Sequence, residues 1–529
     1  MEDDTGLSGI DPSIFEAPLD RRGLLLNAAK ITAAAAAAGP FFMAAAQAKA
    51  AEVASTSATA GDPIAVGAVN AAKKYSGQTI TMTYEAGLQP LDPKNFSGPL
   101  FEKLTGVKSA VVEAPFADLY TKAIAEHIAK SGAFDVLDVS PAWIPDFADR
   151  GVIAPIDSFV SKYKAQGTFA DLHPLYRALG KHKGKTWGFF DDGDVWILYY
   201  RKDVFANPKL RAAYKKKFKR DLRVPTSWPE FNETAKFITD QMGPKVYGTA
   251  LGRGLGNPGN QFYFFQQFRN NGGTFFDPKT MKALINNPIG VKTMQQILDL
   301  TSAQPPGVNK LDVVSAWVTW LKGNSAMMYS WPPTGRISEN YAQRDKAFSF
   351  LPKSKIVGKV GYAVIPGKNG EHAGSFVKCV SADSKNTDLA YLWAQWQTSP
   401  SVSLQRVMLP YTLRDPYRIS HYKSKAYRSL WPAAKEYLIG LNNGANNAVI
   451  DMVMTGAADY ANALDRAMTA MYAGKSVKSG LDGAAQEWDA ITKKLGVDTQ
   501  RAAYADFLKL PGATAKNTIA ARGQAVTIT

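Results

Sequence analysis

The stretch GKTWGFFDDGDVWILYYRKDVF, Gly184 to Phe205, sets three carboxylates, Asp191, Asp192 and Asp194, into four positions among Phe189, Phe190, Trp196, Tyr199 and Tyr200. Acids so placed can cut a bond, hold a metal or grip a polar ligand. A glycosidase needs two carboxyls about 5–10 Å apart across the scissile bond, and Asp191 with Asp194 can meet that spacing. No independent nucleophile or base motif accompanies them. The five histidines, His127, His173, His182, His372 and His421, include no i, i+4 pair, and the one cysteine, Cys379, sits in the apolar run SFVKCVSA and reads as a buried strand thiol. No metal or cofactor is expected. Ionised carboxylates accept hydrogen bonds from hydroxyls strongly, and flat rings cover the C–H faces of a sugar, so acids among aromatics suit a neutral polyhydroxylated ligand. The ordinary job of a DDGD sequence is turn capping, which one or two of these acids could fill.

The elements around these acids alternate short β-rich runs with helical ones. QTITMTYEAG reads as a strand ending at Glu85, VKSAVVEAP as one ending at Glu113, and FDVLDVS as a buried strand followed by Trp143. Between them FADLYTKAIAEHIAKSG places Leu119, Ala123, Ile124 and Ile128 on one helical face, with His127 at its boundary. This alternation predicts a mostly parallel sheet with helices on both faces, and ligands in such sheets lie beyond the carboxyl ends of the strands. Glu85, Glu113, Ser140 and Trp143 make a rim there.

Farther on, Ser227 with Pro229 and Glu230 signals a helix start. Gly252 and Gly254 begin a dinucleotide fingerprint, but Asn257 stands where its third glycine belongs, so no nucleotide site is expected. SAWVTWLKGNSAMMYSWPP reads as helix, turn and strand with Trp331 at the exit, and VGYAVIPGKNGEHAGSFVKCVSADSK as two strands about a turn. Trp187, Trp196, Trp317 and Trp320 read as core. The chain from Asp388 to about Leu510 is mainly helical in pattern.

A chain of 529 residues exceeds what one hydrophobic core supports, so two or more domains are expected. Its formal charge of +16 permits acidic partners, yet the densest basic run, Tyr214 to Arg220, reads as a solvated helix face, and no nucleic-acid module is present. Near the N-terminus, Arg21 and Arg22 precede Leu24, Leu25 and an Ala-rich stretch broken by Gly39 and Pro40, with small residues at Ala46 to Ala50 suited to cleavage. This is the pattern of a twin-arginine export signal, and the broken Ala-rich stretch argues against a membrane span.

Four segments in order, AFDVLDVSPAWIPDFADRGVIAPID, the Gly184–Phe205 stretch continuing to VPTSWPEF and AKFIT, WLKGNSAMMYSWPP and LPYTLRDP, resemble the extracellular solute-binding proteins of ABC importers, sugar type, the group that includes maltose-binding protein. The resemblance runs from about Gly77 to Leu510. It implies an α/β, two-lobed binding-protein fold with hinge strands and a ligand cleft between the lobes. The implied divisions are 1–50 for the export signal, 51–74 for a flexible leader, 75–192 plus 372–412 for lobe 1, 193–371 plus 413–515 for lobe 2, and 516–529 for a tail. It also implies ligand contacts at Asp194 with Asp192 beside it, at Trp331, at Arg414 and Tyr411 in the late loop, and at Trp143 and Glu85 from the first lobe. The implied partners are a neutral sugar or polyol, a membrane permease and, during export, the twin-arginine translocase; a monomer is expected. Two alternatives remain open on residues: an anion-binding protein using Arg253 and Arg414, for a sugar phosphate or another charged solute, and a secreted carbohydrate-active enzyme using paired carboxylates.

Overall fold

The computed structural model describes residues 61–254, 260–372 and 374–529. The expected export signal lies outside the described residues, as does the leader up to residue 60. Residues 63–74, expected to complete a flexible leader, are helical instead. Asp62 caps the helix Pro63–Ala72 by accepting from the amides of Ile64 and Ala65, and Ala65, Ala68 and Ala72 bury one face against the helix Thr387–Gln397. Alanines three and four apart let the two helices approach closely.

Fourteen strands are described. The first sheet takes β1 (Thr79–Glu85), β2 (Lys108–Ala114), β3 (Val136–Val139) and β4 (Ile153–Ala154). A separate hairpin pairs β5 (Lys181–His182) with β6 (Lys185–Thr186). The chain returns to the first sheet as β7 (Gly188–Phe190), then enters the second as β8 (Val195–Arg201), β9 (Tyr247–Thr249), β10 (Ser325–Ser330), β11 (Val360–Ala363) and β12 (Glu371–His372). It goes back as β13 (Val377–Ser381), and β14 (Val449–Ile450) closes the second sheet. The sheet orders are β2-β1-β3-β13-β4, with β7 on β13, and β14-β12-β8-β10-β9, with β11 on β8.

Neither sheet is mostly parallel. β1 pairs in parallel with β2 and β3, as local βαβ units require, but β13 runs antiparallel to β3, β4 and β7 because it enters from the other sheet. For the same reason residues 360–381 are not a hairpin: β11 and β12 pair with β8, while β13 joins the first sheet. Sequence periodicity shows strands but not which sheet receives them.

Local signals are otherwise realised as the residues dictate. The Ser227 side chain accepts from the Glu230 amide, while Glu230 reaches back to the Thr226 amide at 3.0 Å, starting the helix Trp228–Met242. The helix Phe116–Ala129 buries Leu119 and Ala123, but Ile128 is 76% exposed at its end. Cys379, Trp187, Trp196, Trp317 and Trp320 are buried. Among the described residues no helix is long and apolar enough to cross a membrane.

Candidate functional site

The two sheets are joined where three segments run side by side: Phe190–Val195, Gly374–Val377 and the late loop through Arg414–Pro416. The Asp191 amide donates to Phe376 O at 2.9 Å, the Gly193 amide to Asp415 O at 3.1 Å, and the Asp415 amide to Asp192 Oδ1 at 2.9 Å. Gly193 is required at this crossing, since a β-carbon there would overlap the carbonyl of Pro416. The three acids of the opening stretch therefore sit on the junction itself, and its geometry gives each a different task.

Asp191 is fully buried and held by three cations: Arg406 as a bidentate partner, Lys378 Nζ at 3.4 Å and Arg414 Nε at 3.4 Å. Burial pushes its carboxyl up, but Arg406, Lys378 and Arg414 together outweigh burial and hold it below the usual carboxylate range. Asp192 is also fully buried, with Arg414 Nη1 3.3 Å from Oδ2; burial dominates, and its carboxyl is raised despite that arginine. Asp194 alone of the three keeps some exposure, at 8%. Its Oδ2 accepts from the Ser375 amide at 3.1 Å, and burial followed by the nearby charges of Asp192 and Asp415 raises its carboxyl. Asp415 pairs with Arg336 at 3.0 Å, yet burial pushes it up to about 6.

Residues that the sequence did not single out complete this network. Lys378 Nζ lies 2.7 Å from Asp138 Oδ1 and 3.6 Å above the Tyr84 ring, Arg414 Nη2 lies 2.7 Å from Asp138 Oδ2, and Arg406 Nε lies 2.6 Å from Asp92 Oδ2. A lone lysine inside the apolar run SFVKCVSA was the available signal, because a charge in a strand covered on both faces must have partners. Arg414 is 1% exposed, and its guanidinium meets Asp138, Asp191 and Asp192. Asp192, Asp194 and Asp415 each bring an oxygen within 4.8 Å of the others, with Arg414 and Arg336 supplying the positive charge beside them.

Trp331 is half-buried at the exit of β10, its ring edge-on to Trp196 at 4.8 Å. Gly374, at φ +86°, separates it from Asp194: a β-carbon there would stand 3.7 Å from Asp194 Oδ2 and 3.8 Å from Trp331 Nε1. Asp194 and Trp331 are thus brought together across a residue without a side chain. A small recess beside Trp331 is lined by Leu251, Tyr263, Val313, Met328 and Ser330.

Glu85 ends β1 half-buried, and its carboxyl makes no hydrogen bond among the described residues; burial pushes that carboxyl up to about 7, with Arg414 opposing and Asp138 adding. Glu113, on the neighbouring strand, pairs with Lys94. Trp143 is 6% exposed, packed by Phe116, Tyr120 and Phe147, and its turn Pro141–Trp143 meets the helix Ala457–Tyr472 of the other sheet's half. Tyr411 is buried, and burial raises its hydroxyl well above the usual range. Arg253 is buried on the Tyr472 ring and donates to Thr301 Oγ1 at 2.8 Å.

The family model described as bacterial extracellular solute-binding protein matches residues 80–403. An ABC transporter solute-binding protein from Agrobacterium radiobacter in complex with ribitol superposes with a TM-score of 0.64 at 22% identity, over 80% of this chain and 99% of that one. One from Agrobacterium vitis with bound D-mannitol gives 0.63 at 21%, over 79% and 99%. A maltose-bound MalE3 of T. maritima gives 0.63 at 19%, over 78% and 100%. At these identities the likeness shows the two-lobed fold.

Proposed function

We propose that this chain, which belongs to the bacterial extracellular solute-binding protein family, captures a neutral sugar or polyol between its lobes and hands it to an ABC transporter permease. The observation that carries the reading is the placement of Asp194 beside Trp331 at the junction of the two sheets, with Glu85 as an unpaired carboxyl at the end of β1. Aromatic surface covers sugar C–H groups, carboxyls take the hydroxyls, and closing the lobes strengthens each bond by expelling water. Carboxyls raised toward neutrality can donate as well as accept, which suits hydroxyls and disfavours anions. Solved relatives with ribitol, D-mannitol and maltose support this ligand class.

The assigned contacts are Asp194, Trp331 and Glu85, with Trp143 at the meeting of the lobes. Asp192, Arg414 and Tyr411 act from behind: Arg414 and Asp192 hold the junction and set the charge that Asp194 feels. The residues on which the two alternatives rest are engaged elsewhere: Arg253 and Arg414 are buried in internal contacts, and Asp191, which the enzyme reading pairs with Asp194, is clamped by Arg406. Lobe 1 takes 75–192 with 372–412, extended back to the helix Pro63–Ala72 that packs on it and starting its second part after His372, which pairs in the second sheet, and lobe 2 takes 193–372 with 413–515. Export by the twin-arginine route, cleavage near Ala48 or Ala50, a periplasmic location and a monomeric state complete the proposal.

The test is thermal unfolding of the mature chain, from about Ala51, against sugars, polyols, sugar phosphates and polyamines. A ligand of the folded state at a hundred times its dissociation constant adds about 2.7 kcal/mol. A rise in Tm with a neutral compound supports the reading; a rise with phosphates alone sinks it.

A further inference from the structure

The helix Pro208–Phe218 and the turn after it carry a charge distribution that solute capture does not use. Residues 208–223 hold eight cations against one acid, Asp221, so sixteen of the 529 residues carry seven of the sixteen net positive charges. Leu210 and Tyr214 bury one face of the helix. At about 100° per residue, Lys209, Lys215 and Lys216 fall on the opposite face, with Lys219 exposed at the cap.

Ion pairing absorbs only half of this charge. Lys215, Lys217, Arg220 and Arg223 meet Asp221, Asp240, Glu233 and Glu230, whereas Lys209, Arg211, Lys216 and Lys219 make no ion pair among the described residues. The helix macrodipole favours cations in the last turn, but Lys209 and Arg211 lie near the N-terminal end, where it opposes them. Helix stability therefore does not account for the stripe.

We propose that this stripe docks the protein on an anionic phospholipid surface. The large exposed hydrophobics of the described chain are Val66, Ile128, Val357 and Val497, none of them on the stripe, so it lacks the apolar anchor on which a protein interface centres. A flexible lysine row needs no such anchor at a charged bilayer, where each cation strengthens partitioning about fivefold at low salt. The proposal is independent of which solute the cleft takes.

The test is co-sedimentation of the mature chain with phosphatidylglycerol-containing vesicles and with phosphatidylcholine vesicles, at about 50 and about 500 mM salt. The expected result is binding to the anionic vesicles at low salt only, weakened at least about tenfold in the variant carrying Lys209→Gln, Arg211→Gln, Lys216→Gln and Lys219→Gln. A control removes the same charge elsewhere, through Lys279→Gln, Lys292→Gln, Lys493→Gln and Lys494→Gln, and should keep binding. Equal loss in the control, no loss in the stripe variant, or tighter binding to duplex DNA than to the anionic vesicles overturns the proposal. Unchanged thermal unfolding shows that both variants fold.

Discussion

Lys378 and Asp138 are register partners on the antiparallel neighbours β13 and β3, with Nζ 2.7 Å from Oδ1 and both side chains fully buried. The pair lies on the strand by which the chain re-enters the first sheet, and through Arg414 and Asp191 it ties that strand to both other segments of the junction. Burial pulls the Lys378 ammonium below its ordinary range, with Asp138 and then Asp191 opposing.

Removing that ammonium leaves Asp138 and Asp191 short of a cation. Lys378→Met should destabilise the protein by about 3–5 kcal/mol, and adding Asp138→Asn should recover part of the loss. Urea denaturation of the single and double variants measures the coupling.

The neighbouring acids should separate fold from binding. Asp191→Asn breaks a buried ion pair with Arg406 and should cost about 3 kcal/mol of stability. Asp194→Asn should leave the urea midpoint nearly unchanged and weaken solute binding by about 1–3 kcal/mol, roughly 5- to 150-fold. The reverse pattern would exchange their roles.

Glu85 gives a pH signature. Its folded carboxyl is raised from 4.5 to about 7, so protonation favours the folded state: the benefit is full below about 4.5 and is lost as pH rises through 7. Glu85→Gln should therefore match the wild type near pH 4.5 and exceed its stability at pH 8 by about 2 kcal/mol. Asp191 runs the other way, its stabilisation being lost as pH falls below the usual carboxylate range. Tm against pH for wild type and Glu85→Gln reads the first effect.

At Gly193 even a methyl group meets the Pro416 carbonyl. Gly193→Ala should force the first and third segments apart and cost about 3 kcal/mol or more, whereas Gly184→Ala, on the exposed β5–β6 turn at φ +74°, should cost about 1 kcal/mol. Denaturation midpoints of the two variants compare a packed junction with a mere turn.

Much of the local structure was legible in the residues. The strand ends at Glu85 and Trp331, the Ser227 cap and the buried Cys379 follow from period, capping chemistry and apolar runs. What periodicity cannot carry is partner choice over long separations: β13 pairs with β3 some 240 positions away, and this alone makes Lys378 a partner of Asp138. The acids at 191–194 could be seen as a cluster, but their division of labour depends on Arg406, Arg336 and Asp415, which fold in from distant segments. The helix at 63–72 was missed because alanine-rich, Gly-containing sequence reads as linker until a partner helix covers it.

Isothermal titration of the mature chain with the neutral sugar or polyol that raises its Tm, followed by recovery of that compound, measures capture itself. Capture without catalysis requires one saturable site, a loss of at least about tenfold in affinity in Asp194→Ala and Trp331→Ala, and a ligand returned chemically unchanged. Undiminished binding in both variants, or a hydrolysed ligand, would contradict it.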